Sequence, residues 1–323
     1  MNRPKQLELL KYLLPGGVLK AGNFIELQQS SILEDQQQTN EVFSDKWQTY
    51  SQSGERPGYE ELQRRWFLEL YGFATEKELA IFLSKCEVIF DAGCGLGAKA
   101  AWFAELAPCS LVVAMDFSSA AEAASLQYHS LTNLVFVQGD IAKTEFPSSS
   151  VDCVICDQVI MHTENPEATF AELTRITRGH GGQVFCYFYA KKALPRELVD
   201  DYFRLHCKTM TQQEIWDMSE QLVELGKRLS DLNVSFAAPE IPALGIKAGT
   251  YDVQRFIYWN FLKCYWNPDL GPETSKVVNF DWYSPSNARR FGKDEVLKLI
   301  AENCLQVMTF HEEEACFSGR FSK

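Results

Sequence analysis

The spacing of hydrophobic and polar positions changes twice along the chain. Between residues 86 and 190, short β-branched apolar runs alternate with stretches whose apolar residues recur at helical spacing, which is typical of a doubly wound α/β sheet. The runs predict strands at Val88–Asp91, Leu111–Asp116, Leu134–Val137, Cys153–Asp157 and Gly182–Tyr189. The stretches between them predict helices at Ala98–Leu106, Ala120–Tyr128 and Glu167–Thr177. Residues 86–190 are therefore the predicted core.

The segment before this core, residues 1–85, has the pattern of helical pieces broken by glycine and proline. Two sets of apolar residues recur there at helical spacing: Phe43, Trp47 and Tyr50, and then Leu62, Trp66 and Leu70. They predict two amphipathic helices that cover the core. Their apolar faces either pack in the interior or contact a substrate.

The strand pattern stops after Lys191, and residues 191–280 have the pattern of an inserted, mostly helical cap. A capping box at Thr211 and Glu214 predicts the start of a long helix. We expect the cap to cover the carboxyl edge of the sheet and its opening to govern access to an acceptor site. Seven aromatic residues crowd one part of the cap and either line an apolar pocket or form core: Tyr251, Phe256, Tyr258, Trp259, Phe261, Tyr265 and Trp266.

The strand pattern resumes near Asp281, so residues 281–323 are predicted to complete the core sheet. A helix is expected at Lys293–Asn303, followed by strands at Leu305–Phe310 and Cys316–Phe321. The chain is thus predicted to have an N-terminal helical segment, a core, a cap and a C-terminal completion of the core.

Composition restricts the class of partner. The chain has 323 residues, of which 46% are hydrophobic and 23% are charged, as expected of a globular protein. No apolar run approaches the roughly 18 residues of a membrane span, and the N-terminus lacks a secretory pattern, so we expect a soluble, cytosolic protein. The net charge of −12, from 31 basic and 43 acidic residues, disfavours a nucleic-acid partner and favours a small-molecule substrate.

The ten cysteines are irregularly spaced and are expected to be reduced and mostly buried. Cys153 and Cys156 form a CxxC sequence, but it lies in a predicted strand. Residues three apart on a strand point to opposite faces, so we expect no shared metal and no disulfide there.

Three glycines at alternate positions carry the strongest chemical signal. The first predicted strand ends in Asp91, and Gly93, Gly95 and Gly97 follow before a helix. Glycines in such a turn let a ligand approach the backbone at a helix N-terminus. A dinucleotide-binding enzyme would have its third glycine one position later, where this chain has Ala98. The acid before the turn suits a cationic amino-acid tail better than a pyrophosphate.

Two further acids follow the next two strands. Asp116 ends the second strand, where a carboxylate can accept hydrogen bonds from both ribose hydroxyls. Asp140 follows the third strand, where a carboxylate can accept from an adenine amine, and Phe117 and Ile141 are placed to sandwich the ring. Each acid alone is also compatible with a helix cap or a solvated turn. At the ends of three successive strands, the acids together indicate an adenosine site.

In order and spacing, these runs resemble the motifs of class I methyltransferases that depend on S-adenosylmethionine (SAM), over about residues 86–190. The sequence FDWYSP at residues 280–285 is similar to a bacterial subgroup of these enzymes. That subgroup often begins with a zinc-ribbon-like segment, for which residues 1–85 have no cysteine. The resemblance implies a Rossmann-like, seven-stranded sheet with SAM as cofactor. It also implies a set of cofactor-binding residues: Asp91, Gly93, Gly95 and Gly97 around the methionine part, Asp116 on the ribose, Asp140 on the adenine, and Gln158 beside the methyl group.

Two residues are candidates for catalysis. His162 follows the fourth strand and is interpreted either as a general base or as a residue that caps or packs in its loop. Tyr189 ends the fifth strand, and both are expected in one pocket, with Gln158 between them and the cofactor. As an unperturbed imidazole titrates near pH ~6.5, a base role predicts a rate that falls on acidification. The leading hypothesis is methyl transfer to O, N or C of a small metabolite; the alternatives are an RNA or protein methyltransferase and a non-catalytic SAM-binding regulatory protein.

Overall fold

The structure is a computed structural model that describes residues 3–20, 23–27 and 33–323. In these ranges the strands are β1 (Phe24–Glu26), β2 (Val88–Ala92), β3 (Leu111–Asp116), β4 (Leu134–Gln138), β5 (Cys153–Cys156), β6 (Gln183–Tyr189), β7 (Ser235–Ala238), β8 (Gly249–Asp252), β9 (Gln306–Glu312) and β10 (Cys316–Ser322). The helices are α1 (Arg3–Leu13), α2 (Glu34–Tyr50), α3 (Arg56–Leu70), α4 (Glu76–Leu83), α5 (Ala98–Leu106), α6 (Ala120–Gln127), α7 (Pro166–Ile176), α8 (Leu194–Cys207), α9 (Gln212–Asp231), α10 (Val253–Asn260), α11 (Gly271–Tyr283) and α12 (Lys293–Glu302). No helix in the described ranges has the length and apolar character needed to cross a membrane.

The central sheet has the order β1-β4-β3-β2-β5-β6-β10-β9. Strands β1 to β6 run parallel, and β10 pairs antiparallel with both β6 and β9. All five residues of β2 and all four of β5 are buried, because helices cover both faces of the sheet. This is the predicted Rossmann-like α/β fold, and the carboxyl ends of β2 to β6 form one edge. Ligands of such sheets bind at that edge.

The prediction of seven strands was wrong by one, because the described residues form a sheet of eight. The additional strand is β1, which lies in the segment predicted to be helical and pairs with β4 through Phe24 and Phe136. Three residues are too few to show strand alternation in sequence. β1 exists because its partner β4 offers a free edge, which is a tertiary effect.

The segment between β6 and β9 is mostly helical, as predicted, and contains one two-stranded hairpin, β7–β8. Thr211 and Glu214 form the predicted capping box at the start of α9. Helix α11 continues through Asp281, so strand structure returns only at Gln306 in β9. The division of the chain into four segments stays a prediction.

A second hydrophobic core joins the N-terminal helix α2 to the cap. It contains Val42 and Tyr50 from α2 together with residues of α8, α9 and α11. The rings of Trp216 and Phe280 stack at a centroid distance of 3.7 Å, and Trp216 Nε1 donates to Asp45 at 2.8 Å. Because α2 and the cap share this core, they form one cover over the carboxyl edge of the sheet.

Candidate active site

The glycine turn between β2 and α5 has a backbone that only glycine adopts easily. Gly93, Gly95 and Gly97 have φ of +88°, +52° and +78°. A Cβ on Gly93 would lie 2.4 Å from Val159, and one on Gly95 would lie 2.8 Å from the Trp47 ring. The turn is tied to β3 because the N–H groups of Gly93 and its neighbour both donate to the Met115 carbonyl.

Asp116 holds the turn in place. One of its carboxylate oxygens accepts from the Gly95 N–H at 2.7 Å. The other accepts from the N–H and the hydroxyl of Ser118, at 2.9 and 2.6 Å. The carboxylate is half-buried and lines a cavity above the turn.

That cavity, here called the glycine-turn cavity, brings together most of the predicted cofactor residues. Its wall includes Gly93, Gly95, Asp116, Phe117, Asp140, Ile141 and Gln158. Phe43, Trp47 and Tyr50 of α2 also line it, so the apolar face of this helix contacts the cavity as well as the interior. The roles of these residues in binding a cofactor stay predictions, but they share one space.

Two predicted cofactor residues lie outside the lining. Gly97 is the N-cap residue of α5. A Cβ at this position would lie 2.6 Å from Phe136, so packing requires glycine there. Asp91 is only 2% exposed, and one of its carboxylate oxygens has no hydrogen-bond partner. Burial raises the pKa of Asp91 to about 7, and the nearby cation of Lys99 partly opposes this rise.

Sequence reasoning missed a pair of charged residues in the same cavity. Asp157 follows β5 and accepts from Lys99 Nζ of α5, and its other oxygen accepts from the Tyr71 hydroxyl at 2.9 Å. The signal was present, since Asp157 is an acid at a strand end like Asp116. Because Lys99 and Asp157 neutralise each other, the buried carboxylate is satisfied without a ligand.

His162 lines the glycine-turn cavity and is buried. Its Nδ1 lies 2.7 Å from the carbonyl oxygen of Asn287, which can only accept, so Nδ1 carries the proton. Nε2 is then a lone-pair acceptor, with no hydrogen-bond partner in the described part of the chain. Burial lowers the pKa of His162 to about 4, well below that of an unperturbed imidazole.

Tyr189 does not share the glycine-turn cavity with His162, although their rings pack edge to face at 5.5 Å. It lines a neighbouring space, here called the aromatic cavity, whose wall includes residues of α3, β6 and the cap. Gln158 lines both cavities and donates to Gln63 of α3 at 2.7 Å. The expectation of one shared pocket is corrected, because the Gln158–Gln63 contact stands where the two spaces meet.

The cap lies at the carboxyl edge, as predicted. Tyr258 and Tyr265, from the aromatic run, line the aromatic cavity beside the strand-end residues Gln158 and Tyr189. Leu62 and Trp66 of α3 line it from the other side. The control of access by cap opening stays a prediction.

Cys153 and Cys156 are buried, free thiols on β5. The Cys153 thiol interacts with Cys86 and the Cys156 thiol with Cys186, so each cysteine has a different neighbour. The described residues contain no group of histidine, cysteine and acidic side chains arranged to hold a metal ion.

The segment from β2 to β6 matches a known domain. Residues 90–186 match the family model described as "Methyltransferase domain". An uncharacterized methyltransferase of Schizosaccharomyces pombe is 32% identical over 114 residues, which span 32% of this chain and 41% of that protein. The chain therefore covers about two fifths of this curated relative's length.

Among solved structures, the chain is similar to magnesium protoporphyrin IX methyltransferase from Synechocystis PCC 6803 with bound S-adenosylhomocysteine, at 14% identity and a TM-score of 0.45. That match covers 89% of this chain and 98% of the other. An O-methyltransferase family protein from Burkholderia thailandensis is similar at 8% identity and a TM-score of 0.42, over 76% of this chain and 55% of that one. These likenesses say nothing about the substrate of this chain.

Proposed function

We propose that the chain is a SAM-dependent methyltransferase that acts on an O, N or C atom of a small molecule. The match of residues 90–186 to the methyltransferase domain supports the reaction class. The observation that carries the proposal is the composition of the glycine-turn cavity. It joins the positive-φ glycines Gly93 and Gly95 to two strand-end carboxylates, Asp116 and Asp140.

The carboxylates suit the adenosine part of SAM. A carboxylate offers about four lone-pair positions, and Asp116 already uses three of them on Gly95 and Ser118. We therefore expect Asp116 to accept from one ribose hydroxyl rather than from both. One oxygen of Asp140 accepts from the Ala142 N–H at 2.8 Å, and the other is free to accept from the adenine amine.

The apolar and buried groups fit the rest of the cofactor. Phe117 and Ile141 line the cavity beside the two carboxylates and would hold the adenine between them. Asp91, below the glycine turn, has an unpartnered carboxylate oxygen and would stabilise the cationic amino-acid tail. A positive charge nearby would also favour the ionised form of Asp91, whose pKa burial raises.

SAM supplies a methyl group on a positively charged sulfur, which is already activated for transfer. The protein then contributes mainly alignment and exclusion of water. Helix α2 provides both, because Phe43 and Trp47 line the glycine-turn cavity and are anchored through the core that α2 shares with the cap. His162 lines the same cavity, so its Nε2 can accept the proton from an acceptor whose reacting atom enters the glycine-turn cavity.

The covered position of both cavities favours a small acceptor. α2, α3 and the cap line them, so an RNA or protein would have to insert a single group beneath this cover. The net charge of −12 also disfavours RNA. A regulatory role without turnover differs from the proposal in one measurable respect: SAM would bind, but no metabolite in a broad panel would be methylated.

The function is tested by Asp116→Ala. Loss of a charge-assisted hydrogen bond should weaken binding of S-adenosylhomocysteine by roughly 1.5–3 kcal/mol, or about 10–150-fold. Titration calorimetry measures this, with Glu122→Ala on the exposed face of α6 as a control that removes the same charge. Because Asp116 also holds Gly95, melting temperatures must show that the variant is folded. Unchanged affinity in Asp116→Ala would rule out the assigned ribose contact.

A further inference from the structure

The wall of the aromatic cavity is rich in aromatic side chains. Eight aromatic side chains line it, contributed by α3, β6 and the cap, among them Trp66, Tyr187 and Tyr258. Flat aromatic walls of this kind suit a planar, apolar ligand body, because rings stack or pack edge to face on them. The cavity shares Tyr59, Gln63, Gln158 and Asp281 with the glycine-turn cavity, so a ligand in it lies next to the proposed methyl donor.

One cation in this wall lacks a partner. Lys263 is 6% exposed, and its ammonium group makes no hydrogen bond or salt bridge within the described residues. It lies 4.6 Å from the ring centroid of Trp282, with Tyr258 and Tyr265 at 5.6 and 5.8 Å. Such cation–π contacts compensate only part of the loss of hydration that a buried ammonium suffers.

The other cations around the cavity already have hydrogen-bond acceptors or are exposed to solvent. Lys192 Nζ donates to the carbonyl oxygens of Ala190, Glu314 and Ala315. Asp281 forms an ion pair with Lys46 at 3.0 Å, although its Oδ1 makes no hydrogen bond, and its negative charge also acts on Lys263. Arg65 and Glu69, also in the lining, are exposed to solvent. In the described part of this wall, Lys263 is therefore the cation that remains for an anionic ligand to pair with.

We propose that the aromatic cavity is the acceptor site, and that it takes a small aromatic molecule with an anionic group that pairs with Lys263. The proposal rests on the proposed methyltransferase function and names its substrate class. A neutral acceptor would leave Lys263 without a hydrogen-bonded counter-ion, and a cationic acceptor would be repelled by its ammonium form. Burial also lowers the pKa of Lys263 well below its ordinary value; the charge of Arg196 adds to this effect, and the charges of Asp281 and Asp200 oppose it. A bound anion would favour the protonated form.

The experiment compares two probes of matched shape, 2-naphthoate and the neutral 2-naphthalenemethanol, on the full chain loaded with S-adenosylhomocysteine. Fluorescence or calorimetric titration should show that wild type binds 2-naphthoate at least 10-fold more tightly than 2-naphthalenemethanol. Lys263→Met should abolish this preference and leave affinity for the neutral probe within about twofold. Lys276→Met, in which a half-buried lysine on α11 paired with Glu220 is replaced, is the matched control and should keep the preference.

The outcomes separate the two proposals. If S-adenosylhomocysteine binds but wild type shows no preference for the anionic probe, the acceptor proposal is overturned while the proposed function stands. This wild-type comparison decides the question even if Lys263→Met fails to fold. A preference that survives in Lys263→Met also overturns it. If S-adenosylhomocysteine itself does not bind, the failure belongs to the proposed function.

Discussion

Asp200→Ala is expected to be the most destabilising single substitution considered for the cap. Asp200 is fully buried on α8 and accepts hydrogen bonds from Arg196, Trp282 and Tyr283, each at 2.8 Å. Its removal leaves the Arg196 guanidinium, which is 1% exposed, without a counter-ion and leaves two buried donors without an acceptor. Breaking one side of a buried ion pair costs about 3–5 kcal/mol.

Thermal unfolding measures this effect. For a chain of this size, the loss should lower Tm by roughly 4–8 °C. Asp231→Ala is the control, because Asp231 pairs with Lys227 at 2.6 Å on α9 but both side chains are half exposed, and no measurable change is expected from it. A Tm for Asp200→Ala within 2 °C of wild type would contradict the account of how α8 is joined to α11.

His162→Ala is expected to lower the turnover number by about 10²–10³-fold and to leave affinity for S-adenosylhomocysteine nearly unchanged. Nε2 is the basic nitrogen, since Nδ1 donates to the Asn287 carbonyl, and His162 lines the cavity proposed to hold the methyl donor. General bases contribute about 10²–10⁴-fold, and a base with a low pKa lies toward the smaller values. The measurement is steady-state kinetics with an acceptor that the wild type methylates. Near-wild-type turnover would contradict the base role of His162 and would mean that alignment of the reactants accounts for catalysis.

The pH dependence follows from the low pKa of His162. At a pKa of about 4, the imidazole stays neutral through pH 5–8, so the contribution of His162 to the rate should be constant there and fall only near pH 4. The folded pKa lies below the unfolded value of about 6.5, so the unfolded chain binds more protons between these values. The contribution of His162 to stability is therefore lost as pH falls from about 6.5 toward 4, and His162→Gln should remove that part of the pH dependence in denaturant titrations.

Local pattern was enough to predict the core of the fold. β3 and α5 begin and end at the predicted residues, because their apolar runs are bounded by clear signals such as Asp116 and Gly97. The same pattern placed Asp116, Asp140 and Gln158 at one edge of the sheet, since parallel strands bring their carboxyl ends together. The features that follow from the alternation of strands and helices along the chain could therefore be predicted from the sequence.

The remainder depends on contacts between distant segments. β1 forms only because β4 offers it an edge, and the low pKa of His162 arises from burial that no local pattern reports. The boundary between the two cavities involves Gln63, which lies 95 residues before Gln158 in sequence and accepts a hydrogen bond from it where the cavities join. Lys263 looks like an ordinary surface lysine in sequence, and only the aromatic rings around it reveal a buried cation.

The central claim is that the glycine-turn cavity binds SAM, and a crystal structure with S-adenosylhomocysteine tests it most directly. We expect the adenine ring between Phe117 and Ile141, a ribose hydroxyl within 2.5–3.0 Å of the Asp116 carboxylate, and the amino-acid tail over Gly93. Absence of the ligand under saturating conditions, or its adenosine bound away from Asp116 and Asp140, would contradict the account.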